Sequence, residues 1–211
     1  QFPLYTQEIT ISYLEVKPDK MAWLQLKDNL YFQPREIIKS NVSAGKRVEI
    51  KLTLTNVLVE LLFECYEVDG YKLGGHMAFR GSYGLFTNYL EYWSMVKQNS
   101  TGAKRAISKL LQNSLYGKMG MSCDNEITNF ESKEGKFSIN HTGETYISSA
   151  VYLPLATYIT SYAKDYLVRA INSNYDRFLY CDTDSLHLFG TLEQVKGLFI
   201  DKKTYGAWDN E

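Results

Sequence analysis

The stretch LYCDTDSLHL, Leu179–Leu188, sets Asp182 and Asp184 one residue apart between two apolar segments. RFLY and SLHLF are each strand-like and CDTD is a tight turn, so the pattern predicts a β-hairpin with both carboxylates at its tip. In an extended backbone, positions i and i+2 project to the same side. Two carboxylates held that close repel each other unless a cation or a shared proton intervenes. A hard divalent ion such as Mg2+ relieves that repulsion, because it takes oxygen ligands and keeps water and phosphate oxygens in its shell. The pair therefore reads as a metal clamp on an apolar support. Asx-turn chemistry alone is the competing reading of Asp-x-Asp in a turn.

Upstream lies GAKRAISKLLQNSLYGKMG, Gly102–Gly120, with a helical pattern. Between Tyr92 and Cys123 there is no Asp or Glu, while the same window carries Lys97, Lys104, Arg105, Lys109 and Lys118. Arg105, Lys109, Asn113 and Tyr116 recur at steps of four, four and three, so they share one helix face. Two cations, an amide and a ring suit a triphosphate at one end and a base or sugar at the other. A solvated face with snorkelling lysines is the plainer alternative. Gly117 admits close approach of a backbone or a stacked base pair; a helix C-cap would explain it equally well.

The remaining chain frames these two segments. EITISYLEV, MAWLQLKDN and RVEIKLTLT alternate apolar and polar residues and read as strands, the last with Val48, Ile50, Leu52 and Leu54 on one face. A helix is expected from Thr55 or Asn56 through VLVELLFECYEV, then a strand in YKLGGHMAFRG broken by Gly74 and Gly75. Two helices between Leu85 and Met119 are divided by QNSTG. Asp124–Tyr146 reads as a projecting β-hairpin with turns at SKEGK and NHTGE. A helix from Pro154 carries Leu155, Tyr158, Ile159, Tyr162 and Tyr166 on one side, and LEQVKGLF reads as a short closing helix.

A length of 211 residues with 45% hydrophobic and 22% charged residues fits an ordinary globular chain with a sizeable core. The net charge of -1 excludes a surface coated in positive charge but not a local basic cleft. Cys65, Cys123 and Cys181 are odd in number and far apart, which suggests free thiols in a reducing compartment. No apolar run approaches the roughly 20 residues of a membrane span. The chain opens at Gln1 without Met and stops at Glu211, so both ends read as cut and a piece of a longer protein is expected.

Together, KLLQNSLYG and YCDTDS resemble two signature motifs of family B DNA polymerases. The first is similar to the K-x-x-x-N-S-x-Y-G fingers motif (Lys109, Asn113, Ser114, Tyr116, Gly117) and the second to the Y-x-D-T-D-S palm motif (Tyr180, Asp182, Thr183, Asp184, Ser185). GLFTNYLEYW, NSLYGKMG and the insertion between the motifs extend the likeness to the protein-primed branch of phages and linear plasmids. The resemblance implies an α+β fold: an antiparallel-sheet palm with packed helices, a helical fingers insertion and a projecting β-hairpin. It divides the chain into palm (1–84 and 149–211), fingers (85–121) and a second terminal-protein region (122–148), a hairpin that in the family encircles the template.

The resemblance further implies that Asp184 ligates the catalytic metals directly and Asp182 assists, with two Mg2+ ions, or Mn2+, as cofactor. Lys109 would hold the incoming phosphates, with Lys97 and Arg105 as further cations. Asn113 and Tyr116 would shape the pocket for the nascent base pair. Ser114, Gly117, Lys118 and Tyr180 fall at DNA-contacting or supporting positions, and Cys181, His187 and His76 at structural ones. The implied partners are a DNA primer-template, dNTPs and a terminal protein primer, with no membrane. The setting would be cytoplasmic: the host cytoplasm, for a phage- or plasmid-encoded chain.

The family's D-x-x-S-L-Y-P motif, which supplies another metal-binding Asp, is not found; no exonuclease D-x-E block lies upstream, and the lysine-bearing thumb motif that should follow is missing. The expectation is therefore a parent protein that polymerises DNA and a 211-residue piece that does so weakly or not at all. A noncatalytic DNA-binding remnant of such an enzyme is the second reading. A nucleotide-sugar glycosyltransferase, resting on Asp-x-Asp alone, is the third, and leaves the Lys109–Gly117 stripe without a role.

Overall fold

The computed structural model describes residues 4–24, 50–121, 124–133, 136–147, 152–202, 204 and 206–210. Its helices and antiparallel sheets make an α+β chain that divides into two compact units, residues 1–86 with 160–211, and residues 87–159.

In the first unit, β-branched residues alternating with polar ones favour a strand over Leu4–Val16, β1. It is the centre of a three-stranded antiparallel sheet, flanked by β2 (Ile50–Thr55) and β3 (Tyr66–Phe79). Ile9 and Ile11 point into the core and are fully buried. Residues 25–49 and the expected strand positions within them, Val48 included, lie outside the described residues. Helix α1 (Asn56–Cys65) starts where expected, because the Thr55 side chain caps it by accepting from the Leu58 amide at 3.4 Å. It ends at Cys65, and the chain passes straight into β3 rather than continuing helical to Val68. Leu61, Leu62 and Cys65 pack with Ile9, Ile11, Leu14, Trp23 and Tyr66 into one apolar core. The Leu24 amide donates to the buried Tyr66 phenol at 2.8 Å, and burial pushes that phenol's pKa well up.

Gly74 and Gly75 do not break β3. They sit at a register shift opposite Gln7–Ile9, where the Gln7 side chain donates to the Gly74 carbonyl at 3.0 Å. A bulge absorbs an extra residue while pairing continues on both sides.

The long helix α4 (Leu153–Ser173) buries Ser161, Val168, Ala170 and Ile171. The predicted apolar stripe divides: Tyr158 is buried, whereas Ile159, Tyr162 and Tyr166 are exposed. Past its end, Asn174 is completely buried and fully bonded. Its amide donates to the Ala170 and Lys196 carbonyls, both at 2.9 Å, and its carbonyl accepts from the Lys196 amide at 2.8 Å. This staple fixes the loop beyond the hairpin β6 (Phe178–Asp182) and β7 (Ser185–Leu188) against the helix end. The expected helix over LEQVKGLF reduces to a 3-10 turn, Leu192–Gln194. Asn174 has claimed the Lys196 backbone, and Gly197 turns at φ +69°, so no α-helical ladder continues there.

The second unit holds α2 (Thr87–Gln98), α3 (Gly102–Met119), the ribbon β4 (Asp124–Lys133) with β5 (Lys136–Ile147), and the first residues of α4. The NHTGE segment is no turn. It lies within β5 as a bulge, where the register slips between Glu126↔Thr145 and Thr128↔His141.

Asn174→Ala should lower unfolding stability by about 1–2 kcal/mol, since it leaves the buried Ala170 carbonyl unpaired and frees the Lys196 backbone from the helix end. Urea denaturation measures this, and a change below about 0.5 kcal/mol would contradict the staple.

Candidate functional site

The hairpin forms on the residues that the sequence points to. Cys181 pairs with Leu186 and Asp182 with Ser185, which leaves Thr183 and Asp184 as a two-residue turn. Thr183 takes φ +50°, a left-handed conformation that a β-branched residue rarely adopts. The Thr183 hydroxyl donates to Asp182 Oδ1 at 3.0 Å, and the Ser185 hydroxyl to the Asp182 carbonyl at 3.1 Å. The extended-backbone rule for i and i+2 therefore does not govern this pair, because the intervening residue turns. Both carboxylates share the tip, exposed to solvent, and neither has an ion pair to a described residue. On the body of the hairpin, Tyr180 faces His187 with ring centroids 5.6 Å apart. Half-buried Cys181 has its pKa raised, first by burial and then by the Asp182 charge.

The base of the hairpin is tied down. The Phe189 amide donates to the Arg177 carbonyl at 2.8 Å, and Arg177 Nη1 to the Gln194 side chain at 2.5 Å. Gly190 turns at φ +114°, and a Cβ there would lie 2.6 Å from Arg177 Nη1. A cleft of about 280 Å3 opens beside β7, lined by Leu179, His187, Phe189, Leu192 and Trp208, but Asp182 and Asp184 do not line it. Among the described residues no group of three or more His, Cys, Asp or Glu gathers to hold a metal. Two carboxylates nevertheless fit Mg2+, which is commonly held by one or two carboxylates together with water and substrate phosphates.

In the second unit, α3 divides lengthwise. Ser108, Leu111, Gln112, Leu115 and Met119 are buried or half-buried, at helical spacing. Arg105, Lys109, Asn113, Tyr116 and Gly117 are exposed, as one face should be. Lys109 makes no ion pair to a described residue. The Arg105 guanidinium donates to the Lys97 carbonyl at 3.0 Å, at the end of α2, which brings these two cationic residues together. Ser114 donates its hydroxyl back to the Leu110 carbonyl at 2.7 Å, and Lys118 lies exposed in the last turn.

Gly117 is not a C-cap. It lies inside α3, and Gly120 takes the cap, its amide donating to the Gly117 carbonyl at 3.2 Å. A Cβ on Gly117 would meet nothing within 4 Å. Sequence reasoning missed Gln112, whose amide reaches Ser94 on α2. Its only local signal is a long polar side chain in a stripe that is otherwise apolar apart from Ser108.

Residues 6–196 match the family described as DNA polymerase type B, organellar and viral. The DNA polymerases of Bacillus phage Nf and Bacillus phage phi29 are 36% and 33% identical to the chain over its whole length, and it spans 36% of each. Among solved structures, phi29 DNA polymerase complexed with primer-template DNA and incoming nucleotide substrates aligns with a TM-score of 0.84 at 32% identity. That alignment covers 98% of this chain and 36% of the other. Phi29 DNA polymerase complexed with single-stranded DNA aligns with a TM-score of 0.78 at 31% identity, over 98% and 34% of the two chains.

Gly117→Ala should stabilise the protein by up to about 0.5–1 kcal/mol, because a helical glycine in the last turn is replaced where space is open. Denaturant titration checks this, and a loss of stability would mean that a neighbour packs against the glycine.

Proposed function

Because this chain belongs to the organellar and viral type B DNA polymerases, in their protein-primed branch, we propose that it supplies the nucleotide-gripping helix and two metal-holding carboxylates of a DNA-directed DNA polymerase. The observation that carries this reading is the family match over residues 6–196, within which both motifs leave their polar side chains exposed. Residues 1–84 and 149–211 are assigned to the palm, 85–121 to the fingers and 122–148 to the template-encircling hairpin. The α2–α3 helix pair and the β4–β5 ribbon support that assignment.

The reaction is attack of a primer 3′-OH on the α-phosphorus of a dNTP, with pyrophosphate leaving. At initiation a terminal-protein hydroxyl replaces the primer. Asp184 and Asp182 hold the divalent cations, Mg2+ foremost, at the hairpin tip. Bound Mg2+ supplies the positive charge that stabilises attacking and leaving oxygens together. Lys109 holds the triphosphate as a point charge, and Lys97 and Arg105 extend the positive field around it. Tyr116 and Asn113 border the pocket for the nascent base pair. Gly117 leaves room for the pair to approach, while Ser114, Lys118 and Tyr180 touch DNA. No helix of the described residues is long and apolar enough to cross a membrane, and the setting proposed is the cytoplasm of a phage host. The diphosphate-sugar reading of the Asp pair finds no support in the family match.

The complete gene product should extend a primed template in Mg2+. Asp184→Asn should lower kcat by about 100- to 1,000-fold while primer-template affinity stays within about two-fold. Lys109→Ala should instead raise the KM for dNTP. The isolated 211-residue chain should extend a primer weakly or not at all. Undiminished extension by Asp184→Asn, or a complete gene product that binds DNA and never extends it, would overturn this assignment.

A further inference from the structure

We infer that Gln112 is a positioning residue for nucleotide binding: its amide locks the rotation of α3 against α2 and so sets the direction in which Lys109 and Tyr116 are presented. The inference rests on the proposed role of that helix face. Gln112 Nε2 donates to the Ser94 hydroxyl at 2.6 Å, with a longer reach of 3.5 Å to the Leu90 carbonyl. The Tyr89 hydroxyl adds a second tie, to the Leu111 carbonyl at 3.1 Å.

Position explains why this residue matters. Gln112 stands at the border between the packed and exposed faces of α3. It is three residues from Lys109 and four from Tyr116, the spacings that make surface neighbours on a helix. The rest of the packed face is Leu111, Leu115 and Met119, with the Ser108 hydroxyl donating to the Lys104 carbonyl of its own helix at 2.8 Å. Aliphatic contacts are non-directional and tolerate small rotations, whereas a polar group in an apolar seam specifies register. With side chains a helix is about 10–12 Å across, so a rotation of about 20° moves a side-chain tip by roughly 2 Å. A displacement of that size is enough to take an ammonium or a ring out of hydrogen-bonding or packing reach of a bound nucleotide. Arg105 does not substitute for this lock. It ties the α3 N-terminal turns to the Lys97 carbonyl in the last turn of α2, far along the helix from Tyr116.

The test uses the complete gene product carrying Gln112→Leu, Ser94→Ala, both together, or Lys109→Ala. Each single change at Gln112 or Ser94 should raise the KM for dNTP about 5- to 20-fold. Both should leave kcat and primer-template affinity within about two-fold, and the double variant should be no worse than the worse single one, because both remove the same bond. If neither single change moves KM, if their effects multiply, or if primer-template affinity falls in step with KM, the lock is refuted. Lys109→Ala separates the two levels. An unchanged KM there refutes the proposed nucleotide role of the face and the lock with it. A raised KM there beside an unmoved Gln112→Leu refutes the lock alone.

Discussion

A left-handed turn between two acidic residues is the constraint on which the candidate site of the first unit depends. Asp182 closes β6, Asp184 sits in the turn, and Thr183 between them is held at φ +50°. Such a conformation costs on the order of 1–3 kcal/mol and persists only where surrounding structure enforces it. At the tip the Asp182–Ser185 pairing closes the turn, with the Ser185 hydroxyl bonded to the Asp182 carbonyl, and further bonds tie down the other end of the hairpin. Asn174 holds the Lys196 backbone from both sides, and the Arg177 carbonyl takes the Phe189 amide. A polar, strained and negatively charged tip is thus carried on a rigid base, which is how a binding site is pre-organised.

The helix pair carries the opposite charge by a similar division of labour. On α3 the inward stripe packs, and the outward face keeps cations that no described acidic residue neutralises. Exposed lysines usually contribute little to stability, so a cluster of them without acidic partners is better explained by what it binds. Gly117 agrees with that view: a last-turn glycine that is not the cap and has open space around it weakens the helix end without serving its packing.

Local chemistry made much of this legible. Thr55 as a cap, the alternation in β1, the divided helix pair and the CDTD turn are short-range signals, and each forms where its pattern lies. Non-local contacts account for the rest. LEQVKGLF has a helical pattern but loses its backbone to an asparagine 22 residues earlier. Gly74, Gly75 and NHTGE carry turn residues that strand partners convert into bulges. Tyr158 and Tyr162 share one helix stripe, yet only the first is covered. In the candidate site, residue identity and exposure follow from the two motifs. The Gln112–Ser94 bond does not, because it depends on which residue of a second helix stands opposite.

The central claim is that the tip bearing Asp182 and Asp184 is where the catalytic cations reside. Iron-directed hydroxyl-radical cleavage addresses it without relying on turnover: Fe2+ is substituted for Mg2+ in the complete gene product bound to primer-template and dNTP, and the backbone cuts are mapped. The account predicts cuts clustered around residues 180–186 that excess Mg2+ suppresses and Asp184→Asn abolishes. Cuts confined to other segments, or unaffected by that substitution, would contradict it.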